Sequence, residues 1–175
     1  MMISAKNPMR RARQHRGLTG PELARTVCVT EAKRAEWARR GLVRQRPPRA
    51  LYNAHDAVEL ALLDAVLKAA GARRGRGAWE RLRVEIGRPD GSEPLWAVID
   101  LGLHEHGTAK AAAEVVDLTV TAAGPFRVLA LHEIAAKAIA AYRATVERKP
   151  VPTPAGGKAG HAAPVELRRG GLRHD

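Results

Sequence analysis

Residues 36–56 read EWARRGLVRQRPPRALYNAHD. Arg39, Arg40, Arg44, Arg46 and Arg49 fall within this run, and its only carboxylates are Glu36 and Asp56. Crowding like charges onto one short connection does little for a fold, so a partner outside the chain should compensate them. The flanking residues say how the cluster is presented. A helix-like run reaches Arg40 and is stopped by Gly41. Leu42-Val43 and Ala50-Leu51-Tyr52 can form two short strands. Pro47 and Pro48 have no N–H to give to a central ladder, so the pair must be an edge hairpin or an open loop. The reading is a basic ribbon projecting beside a helix.

Upstream, Thr19-Gly20-Pro21-Glu22 has the form of a capping box with proline in the first turn, and a short helix through Leu23 and Ala24 to about Thr26 should follow. Val27-Cys28-Val29 is a tight apolar turn, and Thr30 can cap a second helix running to about Arg40. Two short helices with so short a connection form a helix-turn-helix. Leu23, Ala24, Val29 and Trp37 are the candidates to pin them together. Lys33, Arg34 and Arg40 then face outward with Thr30 at the leading end, a helix suited to the DNA major groove. The ribbon after it is a wing, and its arginines would sit against phosphates.

The distribution of charge agrees with this placement. The chain has 175 residues and a net charge of +12. Residues 1–50 hold 13 Lys/Arg against 3 Asp/Glu, whereas residues 91–149 hold 6 against 7, so the positive field belongs to one end. That is the footprint of a nucleic-acid partner. No long basic amphipathic helix with bulky apolar residues suggests a membrane surface. No apolar run approaches the roughly 20 residues of a membrane span. The N-terminal MMISAKNPMRRARQHRG lacks the apolar stretch of a secretory signal, and a cytoplasmic protein is expected. One cysteine, Cys28, excludes an internal disulfide and a cysteine-rich zinc module. It reads as a small buried hydrophobe rather than a redox switch.

The remaining chain is read as follows. Residues 1–17 form a basic arm. Asn53 or Asp56 begins a long helix to about Ala70, ended by Gly71, with Val58, Leu60, Leu62, Leu63, Val66 and Leu67 on its apolar face. Arg73-Arg74-Gly75-Arg76-Gly77 reads as a flexible basic loop, with insertion into a DNA minor groove as the sharper alternative. Residues 78–86 give another helix through Trp79, Leu82 and Ile86. GRPDGS at 87–92 marks a domain boundary. Beyond it, Glu93–His106 reads as a helix, 115–121 and 126–131 as the two strands of a β-hairpin, and 132–148 as an amphipathic helix. The Pro-, Gly- and Ala-rich residues 150–175 should be disordered. His104, His106 and His132 read as surface histidines rather than metal ligands. Asp100, Glu114 and Asp117 have no His, Ser or glycine-rich loop placed to make a catalytic site, and no phosphate-binding loop is present. Neither an enzyme activity nor a cofactor is expected.

Residues 18–71 resemble the DNA-binding domain of the MerR family of bacterial transcription regulators. The match runs through Leu18 to Ala24, Val27 to Thr30, Trp37 to Val43 and Pro47 to Tyr52, then Asp56, Leu60, Leu63, Leu67 and Gly71. The resemblance implies a winged helix-turn-helix that binds promoter or operator DNA as a homodimer. It places Lys33 where the family has a Thr after the turn, Arg39 just before the wing, and Tyr52 at a wing tyrosine near the DNA backbone. Arg34 stands where the family usually has a core leucine, and Ala35 where it usually has an arginine that contacts DNA. The region after residue 90 resembles neither the family's long dimerisation helix nor a metal-sensing loop.

The expectation is therefore a mainly α protein with small β wings. A winged helix-turn-helix over 18–90 precedes a small α+β (helix–hairpin–helix) domain over 92–149 for dimerisation or a partner. Thr30, Lys33 and Arg34 would read bases, and Arg39, Arg40, Arg44, Arg46, Arg49 and Tyr52 would hold phosphates. The function expected is a double-stranded DNA-binding transcription regulator, a repressor by preference, acting as a homodimer. An excisionase-type factor that bends DNA is the alternative, and a partner-binding module with a loose basic anchor is a third.

Overall fold

The computed structural model describes residues 17–47, 49–101, 106–122 and 124–149. The basic arm, apart from Gly17, and the tail from residue 150 lie outside the described residues, as do His104 and Pro48.

Helix α1 spans Gly20–Thr26 and opens as its sequence requires: the Glu22 carboxylate accepts from both the backbone N–H and the hydroxyl of Thr19, at 2.7 and 2.8 Å. The chain turns through Val27–Thr30, with the Val29 N–H returning to the Ala24 carbonyl at 2.8 Å. Helix α2, Glu31–Arg39, starts where the Thr30 hydroxyl accepts from the Lys33 N–H at 3.3 Å. Helix α3, Ala54–Ala70, carries the apolar face expected of it and ends at Gly71. Helix α4 is longer than expected, Ala72–Ile86, and takes in the RRGRG run. The flexible loop expected at 73–77 is thus a correction. Gly75 explains why: a Cβ there would stand 3.0 Å from Leu67, so the glycine lets α4 lie close on α3.

The second half is a three-stranded antiparallel sheet in the order β2-β1-β3, with β1 at Trp96–Asp100, β2 at His106–Ala109 and β3 at Phe126–Ala130. The register pairs Val98 with Gly107 on one side and with Val128 on the other. Helix α5, Ala112–Thr121, crosses from β2 to β3. Its Leu118 reaches the place a Gly107 Cβ would fill, which puts α5 on the Val98 face. Helix α6, Leu131–Glu147, packs against α3 on the opposite face, where α4 also meets β2.

Two expectations change here. The helix expected over 93–106 is strand at Trp96–Asp100, because Ala97, Val98, Ile99 and Asp100 are buried on both faces of a central strand, where alternation disappears. The strand expected over 115–121 is helix α5. The Glu114 carboxylate accepts from the N–H groups of Lys110 and Ala111 at 2.7 and 3.3 Å, and this start signal outweighs the β-branched residues that follow. The expected hairpin is therefore replaced by pairing of β3 with β1. The strand at 126–131 and the helix at 132–148 stand where they were expected.

The 87–92 turn divides the chain but not the core. Leu18, Leu23, Trp37, Leu60, Leu63 and Trp79 share one buried cluster with Ile99, Leu131, Ala135 and Tyr142. Three polar contacts run alongside it: Thr26 to Thr145 at 3.2 Å, Tyr142 to the Tyr52 carbonyl at 3.2 Å, and Lys149 to Glu22 at 2.8 Å. Burial pushes the Tyr142 phenol up from its ordinary value. The architecture is mainly helical with one small antiparallel sheet.

Candidate nucleic-acid interface

Helix α2 buries only Trp37 and Ala38, so most of its surface faces solvent. Thr30, Lys33, Arg39 and Arg40 are exposed on it or at its ends, and Arg44 and Arg49 are exposed on the loop that follows. Arg39 and Arg40 both pair with Glu36, one carboxylate shared between two guanidinium groups. Lys33, Arg44 and Arg49 have no ion-pair partner among the described residues. Arg49 also holds a left-handed backbone, φ 69°, and the Ala50 N–H closes a turn onto the Pro47 carbonyl at 3.0 Å.

Of the two forms expected for this segment, an edge hairpin or an open loop, it takes the open loop. Its would-be strands spend their backbone groups elsewhere. The Leu42 N–H goes to the Trp37 carbonyl at 2.9 Å, and the Leu42 carbonyl accepts from the Trp79 indole at 2.7 Å. Tyr52 exchanges both its hydrogen bonds with Leu18, at 2.8 and 3.1 Å. With these groups engaged, no ladder joins 42–43 to 50–52, and the segment is irregular.

Three residues expected at DNA turn inward instead. Arg34 is only 13% exposed. It donates to both Glu31 oxygens, at 2.8 and 2.6 Å, and to the Tyr52 hydroxyl at 2.9 Å. Its hydrogen bond with Glu31 raises its pKa above the ordinary arginine value. Tyr52 lies with Arg34 over its ring at 5.3 Å and Arg46 at 5.8 Å. Arg46 pairs at 2.6 Å with Asp56, which is buried and at the same time caps α3 by exchanging hydrogen bonds with Asn53 at 2.7 and 3.1 Å. Arg34, Arg46 and Tyr52 form an internal clamp that fixes the loop and α2 to α3. These contacts give all three a positioning role within the fold. Cys28 is corrected in the opposite direction. It is exposed, on a left-handed turn with φ 58° that places its side chain in solvent.

Arg83 was not singled out from the sequence. Its guanidinium donates to the carbonyls of Gly41 and Leu42 at 3.2 and 3.4 Å and pairs with Glu59 at 3.8 Å. The signal was present: Arg83 follows Trp79 by four residues and so shares its face of α4. No group of three or more His, Cys, Asp or Glu placed to hold a metal occurs among the described residues. No helix among them is long and apolar enough to cross a membrane. No known family model matches the chain, and no curated protein matches it.

Proposed function

We propose that this chain binds double-stranded DNA and regulates transcription, using α1 and α2 as a helix-turn-helix of the MerR kind with an irregular basic loop in place of a β-ribbon wing. One observation carries the reading. α2 and the following loop expose Lys33, Arg39, Arg40, Arg44 and Arg49 together, on a helix that owes the core only Trp37 and Ala38. α2 enters the major groove, where Lys33 and Thr30 meet base edges. Arg39, Arg40, Arg44 and Arg49 take phosphates. Repression by occupying an operator is the action that requires least of the rest of the molecule.

A second copy of the chain belongs to the same reading. Strand β3 is at the sheet edge, and Phe126 and Val128, two residues apart on one face, are 39% and 41% exposed. Apolar exposure at a sheet edge suits pairing with another copy. Val128→Lys should shift a dimer to monomer by sedimentation.

The deciding experiment is selection of genomic DNA by the full chain, followed by anisotropy titration on the selected duplex at several salt concentrations. With about four phosphates neutralised, the log–log slope should lie near −3.6. An affinity indifferent to salt, or no enrichment of any sequence, removes the proposal.

A further inference from the structure

Beneath the basic loop lies a cleft of about 420 Å³ between residues 41–55, the first turns of α3 and the C-terminal end of α4 with its following turn. That volume is in the range of small-molecule sites. Its walls are of two kinds. Val43, Val58, Leu62, Trp79 and Ile86 supply apolar lining. Arg44, Arg46, Arg83 and Arg88 supply four guanidinium groups against two carboxylates, Asp56 and Glu59. Arg46 pairs with Asp56, and Arg83 with Glu59. Arg44 and Arg88 therefore keep uncompensated charge, with no carboxylate partner among the described residues.

We propose that this cleft binds a small amphipathic anion, a compact apolar body carrying one carboxylate. The body lies against the aliphatic side chains and Trp79. The carboxylate meets Arg44 and Arg88 at the mouth. The apolar lining sets this apart from a seat for a phosphate of the DNA backbone, which has no body to place there. Arg44 is shared with the DNA reading, but the inference rests on the cleft and stands if DNA binding fails.

The test uses the full chain and four probes in isothermal titration. These are 2-naphthoate, the uncharged 2-naphthamide, acetate and dimethyl phosphate. Saturable binding of 2-naphthoate is expected with a Kd of about 1 mM or tighter. The other three should bind at least tenfold more weakly, since each lacks one half of the recognition. Arg44→Ala/Arg88→Ala should weaken 2-naphthoate about tenfold. Arg88 and Arg44 are exposed, and the Arg44 backbone N–H to Glu59 survives the change, so the fold should persist, as thermal melting would verify. Arg73→Ala/Arg143→Ala removes the same charge at exposed positions outside the cleft and should leave affinity unchanged. Equal binding of the amide, equal binding of dimethyl phosphate, equal weakening by the two double variants, or no saturable binding of 2-naphthoate would each overturn the proposal.

Discussion

The two ends of this molecule are held together by different physics. Around α1, α2 and the basic loop, polar clamps fix the geometry: Arg34 with Glu31 and Tyr52, Arg46 with Asp56, Arg83 with Glu59, and Lys149 with Glu22. Around the sheet, a backbone ladder and the apolar side chains of Ala97, Val98 and Ile99 carry the load. The difference follows from composition. A segment rich in arginine cannot put all its cations in water and still define its loop, so some turn inward and need partners. The comparison teaches that arginines in one cluster divide into two classes. Arg34 and Arg46 shape the surface, whereas Arg39, Arg40, Arg44 and Arg49 populate it.

The comparison breaks most severely at Trp79, where both kinds of bonding meet. It is 1% exposed, and its indole donates to Leu42 at the base of the loop. Trp79→Ala should cost about 4 kcal/mol in urea unfolding, from lost packing and the lost indole hydrogen bond to Leu42. A cost below 1 kcal/mol would show that the loop is not seated on α4.

Asp56 comes next. Asp56→Ala removes the Asp56 half of the capping box of α3 and leaves the Arg46 guanidinium inside without its counter-charge. The expected loss is about 3 kcal/mol. A leucine-to-alanine change in the sheet unit could match that in size, but the two should differ in salt dependence. Moderate salt should change the cost of Asp56→Ala little, because a buried pair is poorly screened. A strong salt dependence would mean that the clamp is open to solvent.

These clamps also mark the limit of what the sequence could tell. Helices α1, α2, α3 and α6 were legible, because their caps, periodicity and stop signals lie close together along the chain: Thr19 with Glu22, Thr30 with Lys33, Asn53 with Asp56, and Gly71 at the end. The sheet was misread where burial on both faces of β1 erased the alternation that marks a strand, and where valines in α5 imitated one. The exposed cations of the candidate interface were readable from charge alone. What was hidden is which arginines turn inward, because the partners of Arg46 and Arg83 lie ten and more residues away and are brought there only by packing. The position of Arg34 carried a warning: it stands where the MerR resemblance expects a core leucine, and in this chain it is mostly buried.

Arg34 and Lys33 are neighbours that fall on the two sides of the division. Arg34→Ala should lower stability by about 1.5 kcal/mol, since it strips Glu31 and the Tyr52 hydroxyl of their donor. Lys33→Ala should leave stability within about 0.5 kcal/mol and instead weaken binding to the selected duplex. A stable Arg34→Ala protein with altered sequence choice would return Arg34 to the DNA-facing class.

The smallest effect tests the link between the two ends. Lys149, at the end of α6, donates to Glu22 at 2.8 Å and to the Gly17 carbonyl at 3.0 Å. Burial alone would raise the Glu22 carboxyl, but hydrogen bonds from Lys149 and Thr19, with the ammonium charge, lower it from 4.5 to about 2. A carboxyl depressed on folding stabilises the native state above its unfolded value, and that contribution is lost as pH falls from about 4.5 towards 2. The pair is about one-third exposed, so water and salt screen it, and about 1 kcal/mol is expected rather than the full linkage. Glu22→Gln should therefore cost about 1 kcal/mol at pH 7 and almost nothing near pH 2, so wild-type and variant stabilities converge as acid is added. Curves that stay parallel down to pH 2 would mean that α6 is tied to α1 by packing alone, and that the polar clamps belong wholly to the basic end.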